Sequence, residues 1–149
     1  MTVRTHTAFG VAASIVVMSA IVWGFVLAGS PATRRLERLD EQRLQDLQTI
    51  AREIQSMVVY PYAYPDRKRE LKEPLPGTLD EAVQRARGAR LNPRDPETGE
   101  PYRYTVKNET TYELCARFTR QRESDFRVFW NHPPGEYCFT IKVLDPPPY

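Results

Sequence analysis

The chain opens on an unbroken apolar run, with no charged residue from Ala8 to Leu27. Roughly 20 helical residues at ~1.5 Å each cross the ~30 Å hydrocarbon core, so Ala8–Ala28 has the length of one transmembrane helix. Trp23 and Phe25 near its end suit an interfacial position. The competing reading is a cleaved signal peptide, for which Val26-Leu27-Ala28 offers small-residue cleavage chemistry. Such peptides use an apolar region of about 7–15 residues, and the longer run here favours an uncleaved anchor. Beyond it the apolar period becomes helical. At about 100° per residue from Leu36, the residues Leu39, Leu44, Leu47, Ile50, Ala51, Ile54, Met57 and Val58 share an arc of roughly 140°. Asp40 and Arg43 interrupt that arc, so packing is expected to begin near Leu44. This divides the chain into a tail (1–7), a membrane helix (8–28), an exposed neck (29–43) and a head domain (44–149).

Ser30-Pro31 reads as an N-cap and first helical position that restarts the helix. Tyr60-Pro61-Tyr62-Ala63-Tyr64-Pro65 ends it, since each proline disfavours helix in the residue before it. Thr78-Leu79-Asp80-Glu81 matches a capping box and predicts a short helix to about Arg87, with Gly88 as its stop. Asp95-Pro96-Glu97-Thr98-Gly99-Glu100-Pro101 has turn chemistry throughout. After it the period drops to two. Tyr102, Tyr104 and Val106 form one alternating set, Tyr112, Leu114, Ala116 and Phe118 a second, and Tyr137, Phe139, Ile141 and Val143 a third. Arg127–Trp130 stands as a possible further strand. The expected fold class is α+β, with a three- or four-stranded antiparallel sheet whose aromatic face is roofed by the amphipathic helix.

Composition adds little chemistry. Lys plus Arg number 21 against 19 Asp plus Glu, a net charge of +2, and only Arg4 precedes the apolar run. A strongly polybasic nucleic-acid binder is excluded on that balance. The arginines Arg34, Arg35, Arg38 and Arg43 just after the span argue for a cytoplasmic head by the positive-inside rule. The only two cysteines, Cys115 and Cys138, argue for an oxidising, extracytoplasmic one. Both sit off the aromatic face and so project to the same side of the sheet. A disulfide between them is possible if their strands are neighbours; two free thiols are the alternative.

No catalytic spacing emerges. His132, in a proline-rich turn, is the only histidine after the span, and neither cysteine forms a recognisable triad with it. No zinc, P-loop or dinucleotide motif occurs, so neither an enzyme nor a cofactor is expected. Asp95, Glu97 and Glu100 offer hard oxygen ligands for a Ca²⁺ candidate, against the simpler reading of a solvated turn in which Asp95 accepts from following amides. Tyr60, Tyr62 and Tyr64 are an interaction candidate, against the simpler reading of a lid over the helix exit.

The order of elements resembles the type IV pilin-like proteins, particularly the major pseudopilin of type II secretion. The likeness is carried by Asp46–Tyr60, by Leu75-Pro76-Gly77-Thr78-Leu79-Asp80-Glu81, and by Asp95-Pro96-Glu97-Thr98-Gly99-Glu100-Pro101-Tyr102-Arg103-Tyr104. It covers about Arg34 to Phe118. The turn has one residue more before its glycine than the family's Asp-Pro-x-Gly-x-Pro-Tyr. Phe9-Gly10 reverses the family's processing order, and the apolar run lacks the family's glutamate. The family's calcium loop is not matched residue by residue, so no ligand carries over. The resemblance implies a membrane-tethered, pilin-like scaffold without enzymatic activity, a subunit of a secretion- or pilus-related assembly. The expected partners are the bilayer through Ala8–Ala28 and copies of itself or other membrane subunits. A membrane-anchored ligand- or peptide-binding sensor is the alternative.

Overall fold

The computed structural model describes residues 2–28, 31–60, 69–86 and 91–147. It separates into two compact units, Met1–Arg35 and Leu36–Tyr149. The first carries helix α1 (Thr2–Ala28). Its window Ala8–Phe25 is long and apolar enough to cross a membrane, and none of that window is buried. Ser14, polar within the apolar run, donates to the Gly10 carbonyl at 3.0 Å and so satisfies its hydroxyl within the helix.

Helix α2 (Pro31–Val58) supplies the second unit with its apolar stripe from Leu36 onward. Leu47, Ile50, Ala51, Ile54 and Val58 are fully buried in one core with Tyr112, Leu114, Phe118 and Ile141. The helix ends at Val58, before the first of the Tyr-Pro prolines, and Val59 bridges to Leu71 instead. Strands β1 (Arg103–Asn108), β2 (Thr111–Phe118) and β3 (Gly135–Lys142) form an antiparallel sheet in the order β1-β2-β3. The class is therefore α+β. The alternation in β2 and β3 sends Tyr112, Leu114, Ala116, Phe118, Phe139 and Ile141 inward, as the two-residue period requires.

Three expectations need correction. Arg127–Trp130 is not a strand; Val128–Trp130 is a 3₁₀ turn. In a strand Phe129 and Trp130 would point to opposite faces, whereas the turn sets both against Phe139, with ring centroids 5.9 and 4.9 Å away. Helix α3 (Leu79–Arg85) forms where it is expected, and Arg87 and Gly88 lie outside the described residues. Its capping box is shifted. Thr78 Oγ1 accepts from the Glu81 amide at 3.2 Å, but the Glu81 carboxylate reaches the Gly77 amide at 2.6 Å. Finally, the stretch expected as an exposed neck is already packed at its end, because Asp40 and Arg43 are only 8% and 3% exposed.

Candidate interaction site

The charges that interrupt the α2 stripe organise the head. A buried guanidinium needs counter-charge and hydrogen bonds on its whole edge, and Arg43 finds both. Its Nη1 donates to Asp40 at 2.8 Å, its Nε to Asp95 at 2.6 Å and its Nη2 to Glu97 at 2.6 Å. Burial alone would lower its pKa. The three carboxylates outweigh that and hold it above the usual arginine range. Asp40 then accepts from the Thr119 and Arg120 amides at 3.0 and 2.9 Å, which gives partners to the backbone just where β2 ends. Helix, turn and strand exit thus meet on one ion cluster.

The Asp95–Pro101 turn serves this cluster. Asp95 Oδ1 accepts from the Glu97 and Thr98 amides at 2.8 and 3.0 Å, an Asx-type turn. Gly99 closes it with φ +73°, a left-handed position that glycine adopts freely. Burial would raise the Asp95 pKa, but Arg43 and those amides hold it below the usual carboxylate value. Of the two readings of this segment, the turn in which Asp95 accepts from the following amides is the one present. Asp95 and Glu97 converge on Arg43, which supplies the positive charge a cation would have brought, while the exposed Glu100 donates its amide to Thr98 Oγ1 at 3.2 Å and accepts from the Asp95 amide at its carbonyl at 2.8 Å. Among the described residues no group of three or more His, Cys, Asp or Glu is placed to hold a metal.

Two further hydrogen bonds to one carboxylate tie the residues flanking the turn to α2. Tyr102 Oη donates to Asp46 at 3.0 Å, and Asn92 donates to the same oxygen at 2.9 Å. Burial raises the Asp46 pKa despite those bonds, and burial together with the nearby Asp46 charge raises that of Tyr102. Tyr104 donates to the Pro76 carbonyl at 2.9 Å, and burial raises its pKa as well. Arg103 lies between them on the opposite face, as strand alternation demands.

On that opposite face Cys115 and Cys138 are register partners and are joined as a disulfide. Arg103 Nη2 lies 3.1 Å from the Cys138 sulfur and 3.3 Å from Glu136. Arg103, Cys115 and Glu136, with Arg117 and Thr119, border an open depression of about 510 Å³. His132 is instead stacked on Phe118 with ring centroids 3.6 Å apart, and burial lowers its pKa. Both cysteines are bonded, so no thiol is left for nucleophilic chemistry with it. Of the tyrosine candidates, Tyr60 is half exposed and donates its amide to Glu70 at 3.4 Å. Tyr62 and Tyr64 lie outside the described residues.

No family model, curated protein or solved structure matches this chain. The sequence pointed to Asp95 and Glu97 but not to Arg43 as their ligand. The available signal was an i, i+3 acid–base pair on an otherwise apolar face, since polar groups on a buried stripe require partners.

Proposed function

We propose that this chain is a non-enzymatic structural or interaction module, tethered to a membrane through Ala8–Ala28 and bearing a pilin-like head. In this reading it is a subunit of a secretion- or pilus-related assembly. The observation that carries it is the pairing of an apolar helix with no buried surface in Ala8–Phe25 and a second helix whose stripe roofs a small antiparallel sheet. An apolar helix left bare by its own chain needs lipid or other helices around it. The disulfide supports an extracytoplasmic head, because cytosolic thiols are kept reduced; Arg34, Arg35 and Arg38 pull the other way.

The test is cross-linking through single cysteines introduced in the span, such as Val17→Cys or Ile21→Cys, in membranes. The native cysteines are bonded, so the introduced thiol reacts alone. Self-assembly gives a ladder of cross-linked species whose intensity follows one face of the helix. A single monomer band at every position removes the assembly reading.

A second reading, the ligand- or peptide-binding sensor, is favoured by one feature. Val106 lies on the apolar side of β1 yet is 38% exposed. With Leu71, Pro74 and Leu75 it borders an open groove of about 510 Å³ beside that strand. An extended apolar peptide suits a groove along an edge strand. A monomeric head whose melting temperature rises with such a peptide would favour the sensor.

A further inference from the structure

Between β2 and β3 the chain makes an excursion that ends on bare apolar side chains. Phe126 is 94% exposed and Val128 66%, with the exposed Arg127 between them. Single exposed apolar residues are ordinary. These two differ because the excursion beneath them is tightly built. Arg122 and His132 exchange backbone hydrogen bonds at 2.9 and 3.3 Å. Asn131 Oδ1 accepts from the Ser124 amide at 2.8 Å, and its Nδ2 donates to the Ser124 carbonyl at 3.2 Å. Ser124 Oγ accepts from the Arg127 amide at 3.3 Å, and the adjoining Trp130 is fully buried. The stem holds the backbone of the tip, so presenting Phe126 outward costs only the ordering of its side chain.

The base of the same excursion is bound to the start of the head. Arg120 pairs with Glu37 at 2.9 Å and Arg122 with Glu41 at 2.6 Å, both on α2. Glu37 and Glu41 lie near the start of the second unit, which begins at Leu36, 9 and 13 residues after Ala28 in sequence.

We infer that the Phe126-Arg127-Val128 tip is a lipid-contacting element that enters the headgroup–acyl boundary of the membrane holding the chain. This rests on the membrane-tethered reading proposed above. Phe and Val supply the apolar insertion, and Arg127 keeps its charge among phosphate groups while its stem lies along the apolar boundary. Lipid is favoured over a second copy for two reasons. Two side chains offer far less apolar area than a stable protein interface uses. A tethered head is also already concentrated at the bilayer, so a contact too weak to recruit a free protein still forms.

The experiment uses the full chain in nanodiscs holding a single copy, with mixed zwitterionic and anionic lipid. Asp125→Cys carries an environment-sensitive fluorophore, the native cysteines being bonded; the same label at Glu109→Cys is the reference. Lipid contact is expected to shield the label at 125 several-fold from aqueous iodide relative to 109 and to expose it to quenching by spin-labelled lipid. Adding Phe126→Ser with Val128→Ser should abolish both effects. Equal iodide access at 125 and 109, in a chain that resists alkaline extraction from membranes, overturns the inference and leaves the tethered reading standing. A chain released by alkali removes both. Shielding that appears only with two copies per disc assigns the tip to a protein contact and overturns the lipid assignment.

Discussion

Arg43 lays its guanidinium fork across the Asp95 carboxylate, with Nε to Oδ2 at 2.6 Å and Nη2 to Oδ1 at 3.2 Å, and so joins positions 52 residues apart. The net worth of such a buried pair is small, because desolvation opposes the attraction; removing one partner is a different matter.

Arg43→Met should therefore destabilise the head by about 3–5 kcal/mol, since Asp40 and Asp95 would remain buried without a counter-charge. Adding Asp40→Asn and Asp95→Asn should recover part of the loss. Urea unfolding of the detergent-solubilised chain measures both. A single-mutant change below about 1 kcal/mol would mean that the cluster is solvated in solution.

Protonation acts on the fold through His132, Asp95 and Asp46, each with a defined sign. His132 has a lowered pKa from burial, so the unfolded chain binds its proton more readily. Its contribution to stability is present above about pH 6.5 and is lost as pH falls through the folded value. Melting temperature should decline from pH 7.5 to 5.5, and His132→Phe, which keeps a ring on Phe118, should flatten that decline. Unchanged slopes in the two proteins would dismiss the effect.

Asp95 shifts in the same direction for another reason: burial works against its charge, and Arg43 and the turn amides outweigh burial. Its stabilisation holds above about pH 4 and disappears as pH falls below that. Asp46, raised by burial, favours the fold at acid pH and opposes this loss. Asp95→Asn should thus narrow the difference in stability between pH 5 and pH 3, as followed by circular dichroism. A difference as large as that of the parent would assign acid sensitivity elsewhere.

Reduction of Cys115–Cys138, separated by 23 residues, should cost about 3 kcal/mol by loop-closure entropy. The double variant Cys115→Ser, Cys138→Ser should lie equally lower in denaturant midpoint and be insensitive to dithiothreitol. If the parent protein shows the same midpoint with and without reductant, the bridge contributes nothing to stability.

Leu47→Ala tests the roof of the sheet. Leu47 is fully buried in the core, so the lost methyl groups and the cavity left behind should cost about 2–5 kcal/mol. Gln45, exposed on the other side of α2, should tolerate alanine within about 0.5 kcal/mol. Equal effects at the two positions would contradict the packing.

The elements that could be read directly are those whose signal is local. A charge-free run, a stripe at helical spacing and strands with a two-residue period each follow from short-range geometry, and all are present. Alternation alone also placed both cysteines on the outer face, although strand order was needed to make them neighbours. What the sequence could not supply were partners distant along the chain. Asp40 and Arg43 looked like breaks in the stripe because an isolated helix would solvate them. Only the folded head brings Asp95, Glu97 and the amides after β2 within hydrogen-bond reach, turning two interruptions into a buried junction. Likewise, Arg127–Trp130 carries strand-like residues, yet core packing of both Phe129 and Trp130 imposes a 3₁₀ turn. Periodicity reports which way a side chain points relative to its own backbone; tertiary structure decides which charge or ring waits on the other side.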